Sequence, residues 1–144
     1  MDIVKPILLN NILKYTYRLQ KKELREDIIN YYKSKKKAIK LYNNSFMDDN
    51  EEQAGLNWLS NDIDSYCNLN IATMERLSDN YINILKRSII FEEKKYIDIT
   101  NYYWKFPFRD VSRNINIMWG LLTPNERYKM LKMNYSTNEI AYGN

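Results

Sequence analysis

The sequence contains no histidine and a single cysteine, Cys67. One cysteine excludes a disulfide framework within the chain, and the lack of histidine excludes a Cys/His zinc site. Because no histidine is present to activate Cys67, we predict a buried structural thiol rather than a nucleophile. These absences favour a reducing, intracellular compartment. They also favour a protein that is not an enzyme, with no catalytic residue, no metal site and no cofactor.

Glycine and proline are scarce as well, at three residues each in 144. Such a chain has too few turn-forming residues for a loop-rich all-β fold, and at 44% hydrophobic residues it is too apolar for a disordered one. No apolar run approaches the roughly 18–20 residues that cross a bilayer, and Asp2 does not fit a secretory signal. We therefore expect a soluble all-α protein with no membrane partner.

Charge is unevenly distributed along the chain, although the net charge is only +4. Residues 1–83 carry 12 basic and 12 acidic side chains, whereas residues 84–144 carry 10 basic and 6 acidic ones. Within the first range, residues 5–40 are basic and residues 41–83 are acidic. The whole positive excess therefore belongs to the last part of the chain, and the two opposite blocks before it can form complementary faces inside one fold.

Apolar residues recur at helical spacing along most of the sequence. In the first half this pattern predicts a helix at about 6–20 and a long, basic, amphipathic helix at about 23–45. An acidic turn at Asp48–Glu52 then starts a third helix, which turns Leu56, Trp58 and Leu59 inward and is broken at 68–70. Asp62 and Asp64 in this helix read as part of a solvated acidic face rather than a metal or acid/base site.

In the second half the helical pattern resumes at Ile71 and continues to about 103, either as one helix or as two. A further helix is expected at about 108–121. Thr123, Pro124 and Glu126 then form a strong start signal, with threonine as N-cap, proline at the first helical position and glutamate completing a capping box. A last helix should begin there.

Six positions between residues 89 and 127 keep one register without a gap: Phe91, Val111, Trp119, Leu122, Glu126 and Arg127. In this register the segment resembles an HMG box. The resemblance implies an L-shaped three-helix unit that binds double-stranded DNA in the minor groove and bends it. We therefore divide the chain into a helical accessory module at 1–83, with a possible protein partner, and an HMG-box-like unit at 84–144. The HMG-box resemblance also implies a nuclear protein that acts in chromatin or transcription regulation. A viral or organellar DNA compartment is left open.

The resemblance further implies a set of DNA-binding residues. Ile89, on the family's first helix, and Phe108, at the start of the second, match positions of the apolar wedge that unstacks a base step. The cations around them and one polar contact residue are Lys86, Arg87, Arg109, Arg113 and Ser112. Because Lys86 replaces a base-reading asparagine, we expect recognition of DNA shape rather than of sequence.

Two alternatives remain open from the sequence. In the first, the chain is a helical interaction or assembly protein without nucleic-acid binding, and Phe108 and Trp119 simply fill its core. A weaker resemblance to LYR proteins, small mitochondrial assembly factors, at Thr16–Leu19 is one form of this alternative. In the second, which is the DNA-binding hypothesis above, a wedge residue must be exposed in the free protein. The burial of Ile89 and Phe108 therefore discriminates between the two.

Overall fold

The computed structural model describes residues 21–45, 52–73, 75–105 and 110–141. Within these ranges the protein is all-α, with six helices and no strand, as predicted. The helices are α1 (Lys22–Ser45), α2 (Glu52–Cys67), α3 (Asp79–Leu85), α4 (Tyr96–Tyr103), α5 (Val111–Leu121) and α6 (Pro124–Ala141). The helix predicted at 6–20 lies outside the described residues.

Three helices, α1, α2 and α5, pack on one another and form the centre of the core. Small residues allow α1 and α2 to approach closely: Ala38 is fully buried, and a Cβ atom on Gly55 would come within 2.5 Å of the Asn43 side chain. Trp119 of α5 fills the space between them and donates its indole N–H to the Ser34 hydroxyl at 3.0 Å. A buried indole thus keeps a hydrogen-bond partner, as its polar N–H requires.

The break after α2 is confirmed, and its cause is the side chain of Asn68. Leu69 and Asn70 adopt left-handed backbone angles, with φ of 55° and 60°. The fully buried Asn68 amide donates to the carbonyls of Ile71 and Arg76 at 2.8 and 2.9 Å, and its Oδ1 accepts from the Ser78 N–H at 2.6 Å. These bonds take the place of helical ones. The expectation of helical structure from Ile71 was therefore wrong for the described residues 71–73 and 75–78.

The stretch from 79 to 103 forms two helices, α3 and α4, which are joined by consecutive turns at 86–95. Aromatic packing joins the two helices: the rings of Tyr81 in α3 and Tyr103 in α4 meet edge to face, with their centroids 5.2 Å apart. Ile89 was expected on a helix and instead lies in these turns. Burial of Phe91 explains the difference, because its ring returns the chain to the core while Ile89 and Ile90 find no core partner.

The capping box at the start of α6 is present as predicted. The Thr123 hydroxyl accepts from the Glu126 N–H at 3.3 Å, and the Glu126 carboxylate accepts from the Thr123 N–H at 2.7 Å. The next residue, Arg127, is 1% exposed and joins three helices. It donates to the Trp119 carbonyl at 2.9 Å, and to Asp27 and Asn30 of α1 at 2.6 and 3.1 Å.

The division between residues 1–83 and 84–144 falls inside α3, and the described parts of these two ranges share one core. α2 packs on α5, and Arg127 bonds directly to α1. Side chains from both sides of the division belong to the same buried cluster. In the part of the chain that the structure describes, the two ranges are therefore joined as one packed unit, whatever functions they divide between them.

Several residues of the helical apolar patterns are exposed, including Trp58, which was expected to face inward. They are Leu24, Ile28, Ile29 and Tyr32 on α1 and Trp58 on α2, with exposed fractions from 44% to 63%. The 3.6-residue period shows that a helix has an apolar face, but only its neighbours decide whether that face is covered. Among the described helices, none combines the length and apolarity required to cross a bilayer.

Candidate nucleic-acid interface

The most exposed large apolar side chain among the described residues is Ile89. We call the Ile89–Ile90 pair, which lies between α3 and α4, the isoleucine tip. Ile89 is 88% exposed and Ile90 is 62% exposed. The backbone around the tip is ordered by short-range bonds, in which Phe91 and Glu92 donate their N–H groups to the Ser88 carbonyl at 2.9 and 3.1 Å. Two β-branched side chains are therefore presented to solvent on a closed turn.

Both ends of the isoleucine tip are anchored. On one side Phe91 is 6% exposed, and its ring meets that of Tyr102 edge to face at 4.5 Å. On the other side the Arg87 guanidinium donates two hydrogen bonds, of 2.5 and 2.8 Å, to the Glu126 carboxylate. It also donates one of 2.9 Å to the Leu121 carbonyl. The tip is consequently held in place against the junction of α5 and α6 before any ligand is present.

The electrostatics of this anchor follow from its geometry. The Arg87 hydrogen bond is the main reason that the pKa of Glu126 falls to about 2, and the bonds from Thr123 act in the same direction. The same contact raises the pKa of Arg87 further above its ordinary value. Arg87 was predicted to bind DNA, but both of its Nη atoms are engaged within the chain, so its first role is to position the tip.

Replacing Arg87 with glutamine is expected to lower the free energy of unfolding by about 1 kcal/mol, because a partly exposed bidentate pair is lost. The salt dependence of DNA binding should stay as in the wild type. Lys86→Gln is the matched control: Lys86 is exposed, so its loss should leave stability unchanged and make the log–log salt slope shallower by about 0.9. Urea unfolding measures the stability of the two variants, and salt titration of DNA binding measures their slopes. A slope change of about 0.9 in Arg87→Gln would mean that Arg87 itself contacts phosphate.

The remaining described site residues lie at the other end of α5. Ser112 is half-buried in the first turn, where its N–H bonds to the Asp110 side chain at 3.2 Å, and Arg113 beside it is exposed. Because the anchor contacts Leu121, about 13 Å of helix separates these residues from the tip. Phe108 and Arg109 fall outside the described residues. The structure therefore brings Lys86, Arg87 and Ile89 together but keeps Ser112 and Arg113 apart from them.

A polar cluster between α1 and α5 was not predicted. The Lys35 ammonium bonds to the Asn116 side chain at 2.9 Å and to the Tyr31 hydroxyl at 3.1 Å. The sequence contains no signal for it, because Lys35 and Asn116 are separated by 81 residues. This cluster fixes α1 antiparallel to α5, since Lys35 meets Asn116 while Asp27 meets Arg127 beyond the end of α5.

Asp62 and Asp64 of α2 do not lie on the solvated acidic face that was expected. Asp62 accepts a 2.5 Å hydrogen bond from the Tyr42 hydroxyl, and Asp64 accepts one of 2.6 Å from Tyr81. Both carboxylates are half-buried, because α1 packs against one side of α2 and α3 packs against another. Within the described ranges no three ligand-type side chains come together in a way that could hold a metal ion.

The prediction for Cys67 is confirmed, since the thiol is 0% exposed in the core. Burial, reinforced by the nearby charge of Asp64, raises its pKa far above the ordinary value. The thiol therefore stays protonated and unreactive.

In comparisons with known proteins, no family model, curated protein or solved structure matches this chain. The fold defines an all-α protein whose described surface presents an exposed isoleucine tip and exposed lysines.

Proposed function

We propose that this chain is a non-enzymatic protein that binds double-stranded DNA, inserts Ile89 between base pairs from the minor groove, and bends the duplex. The observation that carries the proposal is the 88% exposure of Ile89 on a turn anchored by Arg87 and Phe91. Exposing an apolar side chain to water is unfavourable unless a partner covers it. A wedge that unstacks a base step needs this combination of exposure and fixed position.

Cations near the tip supply the complementary charge. Lys86, Lys94 and Lys95 are exposed within the same turns, although Glu92 and Glu93 reduce the local excess. Lysine ammonium groups bind phosphates without reading bases, so affinity at this site would be strongly salt-dependent and only weakly sequence-dependent. We accordingly place the protein in a DNA-containing compartment, the nucleus first and a viral or organellar one second.

The divergent HMG box remains part of this proposal and is supported by the sequence register. Trp119 and Leu122, which match apolar positions of that register, are 0% and 1% exposed. The turns at 86–95 depart from the family's first helix. Bending by the tip does not require that helix, since it depends only on an exposed wedge and nearby cations.

Replacing Ile89 with alanine is expected to abolish most of the bend, because an alanine side chain is too short to enter a base step. The measurement is energy transfer between dyes at the two ends of a short duplex, together with binding affinity. Ile97→Ala is the matched control, since Ile97 is also an exposed isoleucine, at 59%, but lies on α4. An unchanged bend in Ile89→Ala would rule out the wedge, and no DNA binding at low salt would rule out the whole proposal.

A second candidate function is protein–protein interaction, favoured by the exposed apolar residues of α1. Leu24, Ile28 and Tyr32 are spaced four residues apart, so they form one stripe along the helix, with exposed fractions of 48% to 63%. Stripes of this kind mark interaction surfaces. The measurement that separates the two functions is DNA binding by the wild type at low salt, which this second function does not predict.

A further inference from the structure

A cationic surface lies on α1 on the side away from the core. Lys33, Lys36 and Lys40 follow one another at helical spacing of three and four residues, and all are exposed. Ala38 and Tyr42, at 0% and 8% exposure, mark the opposite side of the same helix. The three lysines, which we call the α1 lysine face, therefore point outward over about 10 Å of helix.

No carboxylate of α1 neutralises the α1 lysine face. The last acidic residue of the helix is Asp27, and its carboxylate is bound to Arg127. The nearby Asp62 of α2 accepts the Tyr42 hydroxyl on the core side. Among the described residues, none of the three lysines takes part in an ion pair, so their charges are available to an external anion.

The chemistry of this face favours a nucleic-acid backbone over a lipid surface. The exposed large apolar residues of α1 end at Tyr32, one residue before the face begins. A helix that lies in a membrane interface needs apolar side chains to bury along the whole row of its cations. Ile29 and Tyr32 are exposed beside Lys33 and Lys36, but no exposed large apolar residue of α1 lies beyond them. Backbone phosphates, by contrast, are neutralised by lysine cations without any apolar contact.

The face is also separate from the isoleucine tip. α1 runs antiparallel to α5, and Lys35, within the lysine segment, meets Asn116 in the middle of α5. The tip is anchored at Leu121, the last residue of α5. The α1 lysine face and the tip therefore belong to different elements, the face to α1 and the tip to the turns between α3 and α4.

We propose that the α1 lysine face is a second contact for the backbone of double-stranded DNA. This inference shares the DNA partner of the proposed function but not its residues. Contacts to phosphate carry no sequence information, so the face contributes affinity and salt dependence while the tip produces the bend. Each of the two surfaces should therefore be removable without loss of the other's effect.

The test is a salt titration of binding to a labelled duplex by the full chain carrying Lys33→Gln, Lys36→Gln and Lys40→Gln together. If each lysine meets one phosphate, the log–log slope becomes shallower by up to about 2.7. The matched control carries Lys21→Gln, Lys105→Gln and Lys129→Gln, three exposed positions elsewhere with the same change in net charge. Its slope should stay close to the wild type, and replacement of Lys33, Lys36 and Lys40 by arginine should preserve the slope.

The outcomes separate the two proposals. Equal slopes in the lysine-face variant and its control would overturn this inference while leaving the Ile89 wedge intact. A shallower slope in the lysine-face variant alone, with the bend retained, supports it. Loss of binding to anionic vesicles with an unchanged DNA slope would assign the face to lipid and also overturn it. If the wild type does not bind DNA at all, the proposed function fails and this inference fails with it.

Discussion

Replacement of Asp27 by alanine is expected to lower the free energy of unfolding by about 2 to 3 kcal/mol. The change leaves the Arg127 guanidinium, which is 1% exposed, without its only carboxylate partner among the described residues. Breaking a buried pair from one side is costly because the remaining charge stays desolvated. The Asn30 and Trp119 oxygens still accept from Arg127, and Asp27 itself is partly exposed, so the loss should be near the lower end for such pairs.

Glu26→Ala is the matched control for this prediction. Glu26 lies next to Asp27 on α1, and its replacement by alanine removes the same charge. Its ion pair with Lys22 is long, at 3.8 Å, and both side chains are exposed. An exposed i,i+4 pair contributes only about 0.3–0.5 kcal/mol. Urea unfolding of both variants gives the comparison, and similar losses in the two would show that Arg127 does not depend on its buried carboxylate.

This pair also bears on the candidate interface. Arg127 holds α6 to α1 and α5, and the neighbouring Glu126 holds the isoleucine tip through Arg87. Loosening α6 at Arg127 should therefore also release the tip. In the Asp27→Ala protein we expect a smaller DNA bend even under conditions where the chain is still folded.

The second large effect concerns pH. Burial raises the pKa of Asp64 to about 6, while the hydrogen bond from Tyr81, which favours the charged form, acts in the opposite direction. The folded protein thus holds this proton more tightly than the unfolded chain. The contribution of Asp64 to the free energy of unfolding is fully present below the ordinary pKa of about 4 and is lost as the pH rises through about 6. Between these values the free energy of unfolding should fall by up to about 3 kcal/mol.

Other groups around Asp64 do not obscure this window. Burial raises the pKa values of Tyr81, Tyr103 and Cys67, so all three stay uncharged throughout it. Glu126 has a lowered pKa, so its contribution is complete above its ordinary pKa of about 4.5 and is lost only as the pH falls toward about 2. Asp64 should therefore dominate the change in stability between about pH 4.5 and pH 7.

Two variants test this assignment. Asp64→Asn should remove most of the pH dependence and be more stable than the wild type near neutral pH, since no buried charge has to form. Tyr81→Phe should move the midpoint of the transition to higher pH, because the charged form loses its hydrogen-bond donor. Urea unfolding at a series of pH values measures both. A pH profile for Asp64→Asn that parallels the wild type would exclude Asp64 as the titrating group.

The helices that could be predicted from the sequence are those with local causes. The period of apolar residues predicted a helix at 23–45, and α1 spans Lys22–Ser45. The capping box at Thr123 predicted the start of α6, because threonine and glutamate three residues apart satisfy each other's backbone N–H groups. These signals lie within one or two helical turns, so no tertiary information is needed to read them.

The errors have non-local causes. The described part of the connection after α2 consists of turns and irregular backbone because the Asn68 side chain bonds to Arg76 and Ser78, eight and ten residues away. Trp58 and Leu24 belong to helical apolar patterns, but the described fold leaves them about half exposed. A pattern shows which side of a helix is apolar, and only the packing shows whether another element covers it.

By itself, the sequence determined the all-α class, most helix limits, the break at Asn68 and the inert state of Cys67, because each follows from residue types and short spacings. The tertiary structure alone decided how the charges and exposed side chains are used. Arg87 was predicted to contact DNA and Arg127 was identified only by its register, yet they bind carboxylates 39 and 100 residues away. Within the ranges that the structure describes, Lys33, Lys36 and Lys40 meet no carboxylate, and Ile89 is left exposed. These differences depend on which groups the fold brings within a few ångströms.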